Sequence, residues 1–317
     1  MNNSVSVIIP FYQRTSGLLT NALKGIQAQT ALSRIANIIV IDDGSPTPAK
    51  PEIDAFNSDS EFYRKITLIK QNNSGVSRAR NVGLEAVTDE TEYVAFLDPD
   101  DFWQPEHVEL SLKGLDLGSD FHFSNFTHMG VTIGAFERAG YIDPSKHPII
   151  ADEKIHEYVG DMVLQTTTAN IIGTSTVFYR ITKTPQLRFD ENFKFAGEDY
   201  LMWLSILKYA QKITFTNSIT VRYGEGINLF SGAKWGSKHM CKRLFDEINY
   251  RYFLLHNITM TEANRKKVKE MLYDNRQAYI GNLQSMLKRL KLSALGLFYK
   301  HYTQNKPFRD TLLKRID

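Results

Sequence analysis

The chain has 317 residues, 42% hydrophobic and 23% charged, and 38 Lys and Arg against 35 Asp and Glu leave a formal net charge of +3. That length buries a large core and that balance excludes a disordered chain, while the single cysteine, Cys241, excludes an intrachain disulfide framework and a cysteine-rich zinc site and suits a reducing compartment. No apolar run of about 18 residues occurs, so no transmembrane helix is expected, and Met1-Asn2-Asn3-Ser4 lacks the basic start of a signal peptide, which reads as cytoplasmic.

Residues 4–10 predict a short buried strand ended by Pro10, with Phe11-Tyr12-Gln13-Arg14 after it. Thr15 or Ser16 is placed to cap a helix in which Leu19, Ala22, Leu23 and Ile26 keep helical spacing. Residues 38–41 predict a second strand, with Asp42-Asp43-Gly44-Ser45 as its turn, and residues 66–69 a third. Residues 76–87 read as a helix, and residues 93–97 as a fourth strand that empties into Asp98-Pro99-Asp100-Asp101. Further on, residues 121–126 and 175–179 read as strands and residues 155–164 as a helix. Residues 198–210 read as a helix opening on two acids, which suit the positive end of its dipole. From about Lys234 the sequence turns basic and helical, with Leu283, Met286, Leu287, Leu290, Ala294, Leu297 and Phe298 in one helical stripe. Residues 234–317 hold 18 Lys and Arg and 7 Asp and Glu, about +11, against about −8 for the rest. An acidic body with a basic tail predicts that the tail meets something anionic.

Strands alternating with helices predict an α/β fold: a mostly parallel sheet covered by helices on both faces. In such a sheet the carboxyl ends of the strands share one edge, where ligands bind. The clusters at 11–14, 42–45 and 98–101 all follow strands and should converge there. Asp98, Asp100 and Asp101 put three carboxylates within four residues. They repel one another unless solvated or joined by a cation. A hard divalent ion holding phosphate oxygens is the natural occupant.

Five ordered motifs resemble the family 2 glycosyltransferases of the GT-A fold: Val7-Ile8-Ile9-Pro10-Phe11-Tyr12, Ile41-Asp42-Asp43-Gly44-Ser45, Asn73-x-Gly75-Val76-Ser77-x-Ala79-Arg80-Asn81-x-Gly83, Phe96-Leu97-Asp98-Pro99-Asp100-Asp101 and Gly197-Glu198-Asp199. The resemblance covers roughly residues 4–230. It implies a Rossmann-like sheet and an inverting transfer from a nucleotide diphospho-sugar, with a UDP-sugar favoured, to a saccharide hydroxyl. Pro10, Phe11, Tyr12 and Arg14 would line the nucleotide slot, with Tyr12 offering a stacking face. Asp43 would accept from the base imide and Asp42 reach the ribose. Arg78 or Arg80, with Arg80 favoured, would meet the diphosphate or base carbonyl beside a helix N-terminus. Asn81 would fix the turn or touch ribose. Asp98 would sit near ribose or metal water, and Asp100 and Asp101 would bind Mn²⁺ or Mg²⁺. Asp199 would be the general base, with Glu198 at acceptor hydroxyls or capping the helix, and Trp203 in the core or against the acceptor sugar. Many relatives carry a histidine after the last core strand, whereas residues 221–228 here contain none. Arg222 at the diphosphate or Glu225 as an oxygen ligand would take that place, and His239 falls on a tail helix.

The organisation so read is a catalytic domain, 1–233, with a nucleotide-binding half (1–101) and an acceptor half (102–233), then a basic helical extension, 234–317. The expected role is bacterial surface polysaccharide synthesis (O-antigen, capsule or exopolysaccharide), with a saccharide acceptor that is lipid-linked if the tail lies on the inner face of the plasma membrane. A homo-oligomer is compatible with the apolar stripe, and no nucleic acid is expected because stacking platforms are not evident. The alternative is a catalytically inactive sugar-nucleotide-binding or scaffold protein.

Overall fold

The computed structural model describes residues 4–169, 171–224 and 233–313. They gather into two compact units, Met1–Glu191 with Leu201–Gly226, and Asn192–Tyr200 with Ile227–Asp317.

The first unit is built on one sheet of β1 (Ser4–Phe11), β2 (Ile35–Asp42), β3 (Ile66–Lys70), β4 (Thr91–Phe96), β5 (Phe102–Trp103), β6 (Phe121–His128), β7 (Ile149–Ala151), β8 (Ile155–Glu157), β9 (Phe178–Arg180) and β10 (Ile213–Tyr223). The strand order is β3-β2-β1-β4-β9-β6-β10-β8-β7, with β5 beside β10. The first four strands are parallel. β1 and β2 carry Val and Ile runs because both faces are covered there, and Val5, Val7, Ile8 and Ile9 are all fully buried. The helices Leu18–Gln27 and Val76–Glu85 lie in the crossovers such pairing requires. β9 then inserts antiparallel between β4 and β6, and β6 and β10 run parallel again. The α/β sheet flanked by helices is therefore parallel in its first half and mixed beyond.

Local differences from the sequence reading have identifiable causes. β1 runs through Pro10 to Phe11. Phe11 O accepts from Asp43 N on the β2 side and Ile8 O from Leu97 N on the β4 side. The alternation aims the nitrogen of Pro10 toward β4, where pairing has ended at Ile8, so no ladder bond is lost. The first helix follows Gly17 at φ 99 with no side-chain cap, so neither Thr15 nor Ser16 serves. The predicted helix at 155–164 is strand β8, then Gly160 at φ 137, then the helix Met162–Thr168, whose Leu164 N–H donates to the Asp161 side chain. Of the strand read at 175–179, Thr174–Thr176 is a 3₁₀ turn and only Phe178–Arg180 pairs.

The second unit holds the helices Lys238–Asn257, Glu262–Lys288, Ser293–Gln304 and Lys306–Leu313. Ser237 and Thr261 cap the first two through side-chain oxygens. Ile248, Leu254, Val268, Leu272, Met286 and Phe308 are buried, and Cys241 packs among them. The Tyr279 hydroxyl and His301 Nδ1 lie 2.9 Å apart, and His301 stacks on Phe245. The single apolar stripe expected over 283–298 is divided: the helix ends at Lys288, and Leu290 turns the chain at φ 57. Among the described residues no helix is long and apolar enough to cross a membrane.

Candidate active site

The three polar clusters stand at the carboxyl ends of β1, β2 and β4, adjacent strands of one parallel block. Their side chains divide the work differently from the sequence reading. Pro10 and Phe11 are buried in the sheet, which leaves half-buried Tyr12 and exposed Arg14 as the accessible members of that cluster. The oxygens of Asp42 accept from Ser45 N and Ala49 N, which folds the 42–49 turn back on itself. Asp43 is buried, and it accepts from Gln71 Nε2 at 2.6 Å, Ser74 N at 2.8 Å and Gly75 N at 2.9 Å. It thereby pins the entry of the helix Val76–Glu85 to the end of β2.

On that helix Arg78 faces outward to Glu85 and Glu191. Arg80 is buried, crosses the Phe189 ring and grips Asp98 through Nη2 at 3.0 Å. Asn81 braces the 189–191 segment, donating to Phe189 O and Glu191 and accepting from Phe189 N. Arg80 is thus the arginine joined to the acidic turn.

The turn itself is strongly asymmetric. Asp98 and Asp100 are half-buried, whereas Asp101 is 3% exposed. Asp101 accepts from Ser175 Oγ at 2.6 Å and from Gly224 N at 3.1 Å. Ser175 Oγ also accepts from Asp98 N, so one hydroxyl knits both ends of the turn. Burial, then the charges of Asp98 and Asp100, hold the Asp101 carboxyl well above the usual range. Each Asp101 oxygen accepts one bond and retains capacity for another partner.

A carboxylate whose ionisation is opposed by two neighbours marks an excess of negative charge that a cation would relieve. The donors are hard oxygens, which suits Mg²⁺ or Mn²⁺. Among the described residues no three His, Cys, Asp or Glu side chains form a metal cage. An ion here would therefore rest on one or two carboxylates and on substrate phosphates.

Asp100, Asp101, Lys24, His128 and Arg222 line one cavity of about 990 Å³, whose wall is otherwise largely apolar, including Phe102 and Val131. Arg222 lines the same cavity as Asp100 and Asp101, and Glu225 lies outside the described residues. Sequence reasoning missed Ser175, Lys24 and His128. Only His128 left a trace, as a polar end to an apolar strand, and burial followed by the Arg138 charge pushes its pKa down. Gly224 has a steric reason: a Cβ there would collide with the Asp100 carbonyl. Gly224→Ala is expected to cost about 1–3 kcal/mol in stability, as overpacking does, and to weaken nucleotide binding, both readable by thermal unfolding with and without UDP.

Asp199 and Glu198 open the helix Glu198–Leu207 from within the second unit. Gly197 precedes them at φ 95, where any Cβ would press on the Tyr250 ring at about 3.0 Å. The loop is held from the helix Lys238–Asn257. Asp246 Oδ2 accepts from Lys194 N at 2.9 Å and Phe195 N at 2.8 Å. His239 meets the Phe195 ring edge-on and Lys242 lies over it. Burial pushes the Asp246 carboxyl up to about 6 despite those two donors, and burial, with Asp199 contributing, raises the Tyr250 hydroxyl. Asp199 itself is half-buried and accepts from Tyr200 N. Of the two places read for Trp203, core or acceptor, the structure gives the core. The side chain is fully buried among Phe96, Phe121 and Phe189 in the first unit, so it does not belong to an acceptor surface.

Residues 6–180 match the family described as Glycosyl transferase family 2. The succinoglycan biosynthesis protein ExoW of Rhizobium meliloti is 26% identical over 306 residues, spanning 92% of this chain and 91% of that protein. The crystal structure of S. aureus TarS 1–349 in complex with UDP-GlcNAc superposes with a TM-score of 0.61 at 17% identity, covering 97% of this chain and 89% of that one. The mannosyltransferase PcManGT from Pyrobaculum calidifontis in complex with GDP-Man and Mn²⁺ gives 0.57 at 14% identity, over 96% and 81%. At those identities the two structures establish a shared fold.

Proposed function

The chain belongs to glycosyl transferase family 2 and is a glycosyltransferase, and from that premise we propose that it moves a sugar from a UDP-sugar to a saccharide hydroxyl, with inversion, in building a bacterial extracellular polysaccharide. The observation that carries this reading is the acidic turn after β4, set on a cavity wall with Lys24 and Arg222. Two carboxylates and two cations lining one cavity, next to the carboxyl end of a parallel strand, suit a nucleoside diphosphate and its counter-ion better than any neutral ligand. Similarity to a succinoglycan biosynthesis protein over 92% of the chain supports the polysaccharide role.

In the reaction the acceptor hydroxyl gives its proton to Asp199. Its oxygen bonds to the anomeric carbon as the bond from that carbon to the diphosphate breaks, and the electron pair leaves on UDP. Asp100 and Asp101 would hold a divalent ion, which when bound neutralises charge on the departing diphosphate. Lys24 and Arg222 add fixed positive charge beside the acids. Arg80 holds Asp98 in place, and Ser175 keeps the turn from splaying under its own repulsion. Tyr12 is the accessible aromatic face for the base.

Thermal unfolding with UDP, dTDP, GDP and CDP, each with and without Mn²⁺, tests the donor site. UDP at 100 times its Kd should stabilise by about 2.7 kcal/mol, and only with the metal. A shift independent of Mn²⁺ would remove the ion from the reading. No shift with any nucleotide would overturn the donor site and favour an inactive scaffold.

A further inference from the structure

The second unit carries an apolar edge with a charge pattern of its own. Between Asp274 and Asp310 the chain contains no acid and seven cations: Arg276, Lys288, Arg289, Lys291, Lys300, Lys306 and Arg309. At the middle of that stretch the helix Glu262–Lys288 ends, and Leu290 takes a left-handed conformation, φ 57, which leucine seldom adopts. The turn leaves Leu290 86% exposed and Leu292 70% exposed. Leu295 and Tyr299 continue the exposed face one and two turns on, while Ala294 and His301 bury the other side of the same helix. Beside the turn, half-exposed Trp235 lies over Gly281 and, with Ser285, Lys288 and Arg289, lines a cavity of about 390 Å³.

We infer that this edge docks on an anionic lipid bilayer, with Leu290, Leu292 and Leu295 entering the acyl boundary. Lys288, Arg289 and Lys300 meet lipid phosphates, and Trp235 and Tyr299 take the headgroup level, where amphipathic rings are favoured. The charge pattern chooses this occupant over a second copy of the chain. A two-fold contact through the same surface would bring Lys288, Arg289, Lys291 and Lys300 against their own copies, with no acid between Asp274 and Asp310 to offset them. An anionic surface matches both the charge and the apolar turn.

The test is flotation of the full chain with vesicles of phosphatidylcholine alone and with phosphatidylglycerol added. Binding is expected only to the anionic vesicles and should weaken at high salt. Leu290→Asp with Leu292→Asp should abolish it. Lys288→Ala with Lys300→Ala should lower partitioning roughly 25-fold, from about fivefold per cation. Unchanged helical circular dichroism and an unchanged UDP-dependent thermal shift establish that each variant is folded. Equal binding to both vesicle types, or binding untouched by the leucine changes, overturns the inference. So does a dimer in light scattering that dissociates on Leu290→Asp, since the surface then belongs to a second copy. Vesicle binding is read without turnover, so it stands or fails apart from the transferase chemistry.

Discussion

Asp199→Asn should lower turnover roughly 1000-fold, within the range that a positioned general base contributes, and leave UDP-dependent stabilisation intact. Asn keeps the volume of the side chain and its bond to Tyr200 N but cannot take a proton at any working pH. Nucleotide affinity should be retained because the acidic turn and its cavity belong to the first unit, which does not contain residue 199. The check is a steady-state assay of sugar transfer alongside thermal unfolding with UDP and Mn²⁺. Activity within tenfold of the parent would remove Asp199 from the chemistry and pass the role to Glu198, which shares the helix start. Loss of the UDP shift together with activity would mean the substitution had damaged the fold.

Asp246→Ala should lower kcat by about 100-fold, the scale of a 1 Å misplacement at a reacting group, with little change in nucleotide binding. Asp246 touches no substrate in this reading. It holds two consecutive N–H groups, of Lys194 and Phe195, in the loop that leads to Gly197 and Asp199. Removing it leaves those two N–H groups without their side-chain acceptor. Asp246→Asn keeps an acceptor oxygen and should recover most of the loss, an outcome that a purely electrostatic role would not give. The pH dependence has a definite sign. Because burial raises the folded pKa to about 6, the folded chain binds more protons than the unfolded one between the ordinary carboxylate value and about 6. Stability from this group is therefore greatest below that window and falls as pH rises through it, by on the order of 3 kcal/mol in total. Asp246→Asn should flatten that fall, as measured by denaturant unfolding at pH 4.5 and 7.5.

Much of the site was legible because its signals are local. An apolar strand running into Asp98-Pro99-Asp100-Asp101, or Ile41 into Asp42-Asp43-Gly44, states its own geometry within a few residues, and parallel pairing brings those ends together. What escaped the sequence reading lies in partners far along the chain. Ser175 reaches the acidic turn across 74 residues and Asp246 reaches Lys194 across 52, and neither residue type advertises such a task. Asp42 and Asp43 sit where the motif places them, yet backbone N–H groups occupy their oxygens, and only coordinates show which acceptors are already taken. Residues 155–164 misled for a different reason: a three-residue strand and a seven-residue helix joined by Gly160 imitate one helical period. Trp203 was open to two readings because it lies one turn after two acids, while its neighbours in space are aromatic.

The grouping of residues 192–200 with the C-terminal helices bears on how such enzymes can be recombined. The strands end at Tyr223, so a cut just after Gly224 is inviting. A fragment ending there would keep the sheet, the acidic turn and the nucleotide contacts, but its Asp199 loop would have lost Asp246, His239 and Tyr250. A chimera joining the sheet of one relative to the helices of another must therefore move the loop and the helices as one inheritance, even though they are separated by a whole strand of the other unit. The Asp199 loop and the exposed leucine edge would then travel together when a gene is reshuffled, while the acidic turn stays behind.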